Sequence, residues 1–417
     1  MLMLSQVFSL LLAGLALGQV LLACGFVWRL LRFKRQLIAN EQAPQAAIIL
    51  CLRGGDPFLR DCLRGLLQQD YPHYEIRLVV DHRDDPAMSV IREFMVEGQA
   101  APFHIEYLAQ PGLGCSLKCS SVVQAVRGLD DSVKFIALCD ADTIAHTSWL
   151  RELATALGDA RVGAATGNRW YMPASISVAA LIRYAWNAAA IVQMYWYRIA
   201  WGGTLAIKTS VLRETDLLER WSHAFCEDTM LYSHLKKSNL RLAFVPSLMM
   251  VNREGCDLRG YFSWVRRQLL TARLYHPAWA AVATHGLLTT AGPLAVLTLG
   301  IGAWLSREDT AAALTLSSLF LYQLAIMLML IPMELAVRRI VAARGDETRW
   351  LGPVGVVKTV VAILLTQVVY GAALYSASRL RQVDWRGVHY RFDRSGKVQL
   401  VEYRRYSPVS GSTDSSL

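Results

Sequence analysis

Short apolar runs alternate with segments of helical periodicity between residues 45 and 276. Apolar runs of strand length bounded by turn residues predict buried strands, and apolar residues three and four apart predict amphipathic helices. We predict strands at 46–52, 74–80, 103–108, 135–139, 163–166, 205–208 and 242–245, and helices at 58–69, 88–97, 118–126, 149–157 and 226–235. This alternation indicates βαβ units, and therefore an α/β domain with a mostly parallel, Rossmann-like sheet.

Four longer apolar runs reach the length needed to cross a bilayer, at 7–27, 279–304, 311–337 and 354–378. No Lys or Arg precedes the first run, whereas Arg29, Arg32, Lys34 and Arg35 follow it directly. Because positive charges favour the cytoplasmic side, the pattern predicts an uncleaved anchor with the following domain in the cytoplasm. The chain is thus predicted to be a multi-pass integral membrane protein.

The region 175–201 is apolar and rich in Tyr and Trp, but polar and charged residues interrupt it. Aromatic rings favour the headgroup depth of a membrane, so we predict an interfacial helix here. The predicted organisation is an anchor at 1–35, a catalytic domain at 45–276, a membrane region at 277–380 and a basic tail at 381–417. Three crossings after the domain place the tail outside the cytoplasm, unless one of these segments is re-entrant or interfacial.

Composition supports a membrane protein. Hydrophobic residues make up 54% of the 417 residues and charged residues 18%, and mean hydropathy is +0.29. The formal net charge is +10, and Arg and Lys cluster beside the apolar runs, which favours anionic lipid over nucleic acid as the partner. The eight cysteines form no Cys-x-x-Cys pair, so reduced cytoplasmic thiols are expected.

Polar side chains stand where predicted strands end. Asp81 follows the strand 74–80, and Asp140-Ala141-Asp142 follows 135–139. Residues i and i+2 of extended chain point the same way, so these last two carboxylates converge where α/β sheets bind ligands. Two such oxygen ligands suit Mg²⁺ or Mn²⁺ carrying a diphosphate. Asp-x-Asp alone is also common where a strand turns into a loop.

Three further places complete the set. Arg53 follows the first strand in a Gly-rich turn, and Lys118 lies at the start of a helix, where free amides already favour anions. Lys118 alone is equally compatible with a solvated helix surface. Glu227-Asp228 opens a predicted helix, and carboxylates there also have a simple explanation in the helix dipole.

Taken in this order, and followed by a basic helix and membrane segments, these motifs resemble the membrane-bound family 2 glycosyltransferases of GT-A fold, and most their ceramide glucosyltransferase-like branch. The resemblance covers roughly residues 45–276 and the membrane flanks. It implies that Asp81 binds the nucleotide and that Asp140 and Asp142 bind the metal and diphosphate. It further implies that Asp228 is the general base, and that Arg53 and Lys118 hold the nucleotide and its phosphates.

One family motif is missing. The family ends its catalytic domain with Gln-x-x-Arg-Trp or Arg-x-x-Arg-Trp, which helps to hold the diphosphate or the acceptor. This chain has Arg266-Arg267-Gln268-Leu269-Leu270-Thr271-Ala272-Arg273 instead. Arg267, Gln268 and Arg273 are the candidate replacements, with Arg267 and Gln268 assigned to donor binding.

The resemblance implies an inverting transfer of a single sugar from a nucleotide-sugar, expected to be a UDP-sugar, to a membrane lipid at the cytoplasmic face. Ceramide, diacylglycerol, a hopanoid-related lipid and a polyprenyl phosphate all fit as acceptors. A processive polysaccharide synthase and a catalytically inactive membrane scaffold are the alternatives. The missing Arg-Trp pair and the few spans disfavour the synthase, and the complete carboxylate set disfavours the scaffold. The oligomeric state is left open.

Overall fold

The computed structural model describes residues 1–96 and 103–406. Its main sheet is formed by β1 (Ala46–Leu52), β2 (Tyr74–Val80), β3 (Phe103–Tyr107), β4 (Phe135–Cys139), β5 (Val162–Tyr171), β6 (Thr204–Lys208) and β7 (Arg241–Asn252). Within the described residues the strand order is β3-β2-β1-β4-β6-β5-β7. From β1 the chain adds β2 and β3 on one side of the sheet, and from β4 it adds the remaining strands on the other side. The carboxyl ends of β1 and β4 therefore border the crevice where such sheets bind ligands.

The helices in chain order are α1 (Leu2–Arg32), α2 (Leu59–Leu67), α3 (Pro86–Val96), α4 (Leu117–Arg127), α5 (Trp149–Leu157), α6 (Val178–Tyr197), α7 (Thr209–Glu214), α8 (Leu217–Trp221), α9 (Leu231–Lys237), α10 (Leu258–Tyr275), α11 (Trp279–Leu305), α12 (Asp309–Ala342) and α13 (Pro353–Arg379). Alternate side chains of β1 enter different cores. Ile48 and Leu50 pack with α2 and α5, whereas Ile49 packs with α4 and α8. Both faces of the sheet are covered, which explains the continuous apolar runs of its strands.

The pairing directions make the sheet mixed. β1 pairs in parallel with β2 and β4, β2 with β3, and β5 with β7. Within the described part of this main sheet, the antiparallel pairings are those of β6 with its neighbours β4 and β5. The predicted bounds of β1, β2 and β4 are confirmed, and the mostly parallel α/β prediction is confirmed with them. The predicted helix at 226–235 begins later, at Leu231, so Glu227 and Asp228 lie in the preceding loop.

The predicted interfacial segment is the helix α6, and its polar residues face the protein. Arg183 is fully buried, lies 3.2 Å from Glu254 and stacks over the ring of Tyr171. The amide of Asn187 donates to the carbonyl of Arg169 at 2.8 Å. The interruptions at Arg183 and Asn187 therefore reflect contacts with the sheet and with the loop between β7 and α10, not exposure to water.

Among the described residues, four helices are long and apolar enough to cross a membrane: α1, α11, α12 and α13. The amino terminus of α1 lies 3.6 Å from Glu308, which sits in the α11–α12 connection. Just after the other end of α1, Arg35 pairs with Glu152 of the catalytic domain at 2.9 Å. Helix α12 likewise ends against the domain, since Arg344 donates to the carbonyls of β7 at 2.9 and 2.8 Å.

Helix α13 differs, because both of its ends contact the catalytic domain. Near its start, the Lys358 ammonium lies 3.4 Å from the carbonyl of Ile176, just before α6. At its end, the Arg273 guanidinium donates to the carbonyls of Ala377 and Ser378 at 2.6 Å. Arg273 therefore caps a helix end, where a cation is favoured by the free carbonyls. Arg273, a candidate replacement for part of the missing motif, is thus engaged at the end of α13.

The predicted basic tail folds in its first part. A second sheet, of three strands within the described residues, is formed by β8 (Gln382–Trp385), β9 (Val388–Phe392) and β10 (Val398–Tyr403). Tyr390 and Phe392 are buried against Phe225 of the catalytic domain. The tail is thus attached next to the Glu227-Asp228 loop. Its residues 407–417 lie outside the described residues.

Candidate active site

Asp140 and Asp142 occupy the turn that follows β4. The Thr143 amide donates to the carbonyl of Asp140 at 3.0 Å, which closes a tight turn. One nitrogen, Nη2 of Arg169, lies 3.6 Å from Asp140 Oδ2 and 3.1 Å from Asp142 Oδ2. The two carboxylates therefore point at one place, as predicted, but through this turn and not through extended chain, and the Arg169 guanidinium occupies that place.

Lys118 joins two acidic motifs that are far apart in sequence. It is the second residue of α4, whose start is capped by the Ser116 hydroxyl. Its Nζ lies 2.7 Å from Asp140 Oδ1 and 2.7 Å from Glu227 Oε1. Burial acts to lower the pKa of Lys118, but these two carboxylates outweigh it and hold the pKa well above its usual value. Lys118 is therefore a fixed positive charge at this site.

Asp228 is held by neutral donors instead of by a cation. The Gly202 amide donates to Asp228 Oδ2 and the Thr229 hydroxyl to Oδ1, both at 2.9 Å. Gly202 has no room for a side chain, because an added Cβ would clash with Glu227 Oε1 and lie 3.1 Å from Lys118 Nζ. At Gly203 an added Cβ would lie 2.7 Å from Asp140 Oδ2. The Gly202-Gly203 turn thus lets β6 begin directly against the carboxylates.

Arg53 and Asp81 meet at the carboxyl ends of β1 and β2. The Arg53 guanidinium forms an ion pair with Asp81, whose side chain is only 3% exposed. The phenol of Tyr403, in the tail sheet, donates to the other oxygen of Asp81 at 3.2 Å. The Tyr403 ring also lies 5.4 Å from Arg53 Cζ. The two residues are therefore neighbours, as their strand-end positions predict, and the tail covers them.

Arg169 is a site residue that the sequence analysis missed. It lies on β5, contacts both Asp140 and Asp142 as described above, and stacks over the ring of Trp201 at 4.9 Å. Burial acts to lower its pKa, but Asp142, Tyr171 and Asp140 raise the pKa above its usual value. A signal was present, because Asn168-Arg169 interrupts an otherwise apolar strand. A charged residue in a buried strand requires a partner.

The electrostatics of the two motif carboxylates differ. Burial raises the pKa of Asp142 to about 6, against the opposing effect of Arg169. Burial acts in the same direction on Asp140, but Lys118 and Arg169 together hold the pKa of Asp140 below its usual value. Asp140 is therefore charged at neutral pH, and a second cation near Asp142 would favour its charged form as well.

Arg267 and Gln268 lie on α10 and line the same cavity as the carboxylates. The Arg267 guanidinium stacks over the ring of Trp385 at 4.9 Å. Burial, followed by the positive charges of Arg386 and Arg169, lowers the pKa of Arg267 to about 10. Within residues 1–96 and 103–406 no carboxylate forms a salt bridge with Arg267. This guanidinium therefore carries positive charge that the protein itself does not neutralise.

A single cavity of about 450 Å³ connects these groups to the long apolar helices. Asp140, Asp142 and Asp228 line one end. The other end lies between α1, α6, α11, α12 and α13, where Met329, Leu330, Met333 and Ile363 form apolar walls. A short polar chain crosses that end: His285 contacts Gln19 at 3.1 Å and Gln193 at 2.9 Å through its two ring nitrogens.

The residues that could hold a metal form two groups. Asp140 and Asp142 supply oxygen ligands on one side of a cation position, which suits Mg²⁺ or Mn²⁺ and leaves room for phosphate oxygens. A second group, Asp81, His82 and Asp85, has its ligand atoms within 4.8 Å of one another. Asp85 there already accepts from the amides of Gly54 and Ala87, both at 2.9 Å. The chain thus has carboxylate groups able to hold a divalent cation, and Asp140, whose side chain is 27% exposed against 3% for Asp81, is the more accessible.

Comparison with known proteins identifies the family. Residues 7–398 match the family model described as Glycosyl transferase family 21. The chain belongs to this family. A search of curated proteins found no match. The family 21 assignment confirms the predicted family 2-type glycosyltransferase, an enzyme that transfers sugar from a nucleotide-sugar, and it agrees with the GT-A sheet described above.

Several solved structures are similar to this family 21 chain. The mannosyltransferase PcManGT from Pyrobaculum calidifontis, solved with GDP-Man and Mn²⁺, is 17% identical with a TM-score of 0.48, covering 90% of this chain and 99% of that one. S. aureus TarS 1-349 is 13% identical with a TM-score of 0.37, covering 86% and 100%. Glucosyl-3-phosphoglycerate synthase from Mycobacterium tuberculosis is 11% identical with a TM-score of 0.37, covering 57% and 84%. The family match carries the assignment.

Proposed function

We propose that this family 21 enzyme transfers a single sugar from a nucleotide-sugar to a membrane lipid, with inversion, at the cytoplasmic face. The observation that carries the proposal is the cavity, because one continuous space joins the carboxylates to the apolar helices. A donor with a charged diphosphate suits the first end, and an acceptor with an apolar body suits the second. Ligand cavities of this kind combine apolar walls with a few placed polar groups.

In this proposal the donor lies at the sheet edge. Asp140 and Asp142, which now share the Arg169 guanidinium, would hold Mg²⁺ or Mn²⁺ through their carboxylate oxygens. Such an ion would neutralise charge on the leaving diphosphate. Lys118 and Arg267 supply positive charge on either side of that position, and Gln268 lines the wall beside Arg267. Asp81 and Arg53, at the neighbouring strand ends, hold the nucleoside.

Asp228 is the proposed general base. An acceptor hydroxyl has a pKa far above neutral and needs a base within hydrogen-bond reach as it attacks. The Gly202 amide and the Thr229 hydroxyl orient the Asp228 carboxylate, and neither neutralises it with a full positive charge. Asp228 lines the cavity together with the metal-site carboxylates. A single base acting on one acceptor leads to direct displacement, which inverts the anomeric centre.

The acceptor is proposed to enter from the membrane end. Side chains of α12 and α13 form its walls, and the Gln19–His285–Gln193 chain offers neutral hydrogen-bonding groups within them. A lipid with a hydroxyl or small polar head group and an apolar body matches this lining. Ceramide, diacylglycerol, a hopanoid-related lipid and a polyprenyl phosphate remain the candidate classes.

We propose a topology with three crossings, α1, α11 and α12, and with α13 lying along the cytoplasmic side. The support is that both ends of α13 contact the catalytic domain, and that the tail sheet packs on the donor site. This arrangement keeps the domain at 45–276 and the tail at 381–417 on the same side of the membrane. It corresponds to the re-entrant or interfacial alternative for one of the three C-terminal segments.

The test uses the full chain in lipid vesicles, a panel of UDP- and GDP-sugars with Mn²⁺ or Mg²⁺, and the candidate lipids. We expect one lipid-linked monosaccharide product. Asp228→Asn should lower transfer by about 10²- to 10⁴-fold while donor binding persists, because only the base is removed. A polymeric product would favour the processive synthase. Donor binding without turnover on any lipid would favour the scaffold.

A further inference from the structure

The hairpin between β8 and β9 places two tail residues at the donor end of the cavity. Arg386 and Gly387 form its two-residue loop, and both have left-handed backbone conformations, with φ of 51° and 76°. Such a turn requires positive φ at both positions, which is unfavourable for an arginine. The Asp384 carboxylate accepts from the Gly387 amide at 3.1 Å and stabilises the loop. Left-handed backbone at a side chain that lines a ligand cavity suggests that this side chain has a function.

The hairpin and Arg53, at the end of β1, form reciprocal hydrogen bonds. The Arg386 guanidinium donates to the carbonyl of Arg53 and lies 3.4 Å from Asp56 Oδ2. In return, the Arg386 carbonyl accepts from Arg53 Nε at 3.0 Å and Nη2 at 2.9 Å. Arg386 is therefore held in place by main-chain and side-chain contacts, and it lines the cavity together with Lys118 and Asp140.

Trp385 connects the hairpin to Arg267 of α10 and to Phe225. Its ring lies 4.9 Å from Arg267 Cζ and 5.7 Å from the ring of Phe225, which precedes Glu227 by two residues. A guanidinium stacked on an indole is held in a defined orientation. The unpaired Arg267 is thus fixed by a tail residue, and Arg386 lies close enough to lower its pKa.

Arg386 and Arg267 line one cavity, and within the described part of the chain only Arg386 has a carboxylate partner, Asp56, so an anion in this cavity would offset their remaining positive charge. Arginine presents several donors in a planar fork that matches phosphate oxygens. The anion that this enzyme must bind is the diphosphate of its donor. We propose that the tail hairpin completes the diphosphate site: Arg386 binds phosphate oxygens directly, and Trp385 is a positioning residue that holds Arg267 toward them. This inference rests on the donor site proposed above.

The test measures nucleotide affinity of the full chain in phosphatidylcholine nanodiscs with Mn²⁺. The probes are UDP with UMP and GDP with GMP, and the pair that wild-type protein binds is then used throughout. Arg386→Asn is the main variant, because asparagine tolerates the left-handed backbone and keeps the turn. Arg386→Lys keeps the charge. Arg391→Gln, an exposed position on β9, is the matched control.

We expect Arg386→Asn to weaken diphosphate binding by about tenfold or more, the size of a lost charge-assisted hydrogen bond. Monophosphate binding should change by less than about twofold, since the lost contact is specific to the diphosphate. Arg386→Lys should recover part of the loss. Trp385→Leu should act in the same direction, with Trp385→Phe restoring part of the affinity, and Arg391→Gln should resemble wild type.

The possible outcomes of this experiment can be told apart. Equal weakening of diphosphate and monophosphate would overturn the proposal, because a merely structural role of the hairpin predicts that result. Unchanged diphosphate affinity in Arg386→Asn would overturn it as well. Wild-type protein that binds neither nucleoside diphosphate would instead contradict the donor site itself. Thermal unfolding midpoints of all variants identify any that fail to fold, and for those the partial recovery by Arg386→Lys decides.

Discussion

The two ends of the cavity treat polar groups in opposite ways. At the sheet edge, many of the polar side chains are charged, and several face an opposite charge, as Lys118 faces Asp140 and Glu227. Between the long apolar helices the polar side chains that line the cavity are amides, hydroxyls and an imidazole, as in the Gln19–His285–Gln193 chain. Buried charges are stable only when paired, whereas neutral groups among apolar helices need only a hydrogen bond.

This difference suggests a division of labour. The charged end is built so that cations and carboxylates stay in place before the donor arrives, which is the preorganisation that stabilises a leaving diphosphate. The apolar end is shaped by side chains such as Met333, which adapt readily to an irregular ligand. Changes at the charged end should therefore affect the chemical step, and changes at the apolar end should affect acceptor use.

The largest effect is expected from Asp142→Asn. Loss of a carboxylate at the proposed metal position should lower transfer by about 10³-fold or more, since a bound metal contributes several kcal/mol to the transition state. Initial rates measured against Mn²⁺ concentration check this. Asp131→Asn, at a side chain that is 99% exposed, is the matched control. An unchanged metal requirement would contradict the role of Asp142.

Gly202→Ala should come next. Its Cβ would clash with Glu227 Oε1 and crowd Lys118 Nζ, so the loop that carries Asp228 must shift. A misplacement of about 1 Å costs roughly 10²-fold in rate. The measurement is kcat with saturating donor, and Gly352→Ala, where nothing lies within 4 Å of the added Cβ, is the control. A kcat of Gly202→Ala equal to that of wild type would show that the close approach at the Gly202-Gly203 turn is not required.

Met333→Trp tests the other end. The larger ring narrows the apolar part of the cavity, where Met333 is only 4% exposed. Transfer to lipid should fall by about tenfold, which corresponds to about 1.4 kcal/mol of lost acceptor binding. Slow hydrolysis of the donor by water should stay unchanged. Leu335→Trp, on the same helix and 51% exposed, is the control. An equal loss of lipid transfer and of donor hydrolysis would contradict the idea that the two ends of the cavity have separate roles.

The smallest effect is expected from His285→Phe. This change leaves the amides of Gln19 and Gln193 without their common partner. Hydrogen bonds between membrane helices contribute about 0.6 kcal/mol each, so the free energy of unfolding should fall by about 1 kcal/mol in total. The KM for the lipid should change by about twofold at most. A loss of transfer as large as that of Met333→Trp would mean that His285 contacts the acceptor directly.

Much of the site could be predicted from strand ends. Asp81, Asp140 and Arg53 follow apolar runs whose bounds are clear in the sequence, and parallel strands bring such positions to one edge. Arg169 could not be placed in the same way, because it lies inside the long strand β5 and points toward the site only through the mixed pairing with β6 and β7. The roles of all these residues stay predictions until the variants are measured.

The tail gave the largest difference between prediction and structure. Its short strands carry many charges and look like a solvated basic segment, so local pattern gave no reason to expect a sheet. Contacts with Phe225 and with the start of α4, where the Leu117 amide donates to the Tyr390 phenol at 3.1 Å, stabilise that sheet. Such contacts join residues far apart in the chain, and no local periodicity reports them.

The sequence by itself indicated a family 2-type glycosyltransferase and determined the strand–helix order, the four apolar helices and the position of Asp140 and Asp142 at the end of one strand. These features depend on local periodicity and on side-chain direction over a few residues. Only the tertiary structure decided that Arg169 and Lys118 pair with those carboxylates, that both ends of α13 contact the α/β domain, and that Trp385 and Arg386 line the cavity together with Asp140 and Asp142. Such pairings depend on how distant segments pack, because each buried charge must find its partner in space and not along the chain.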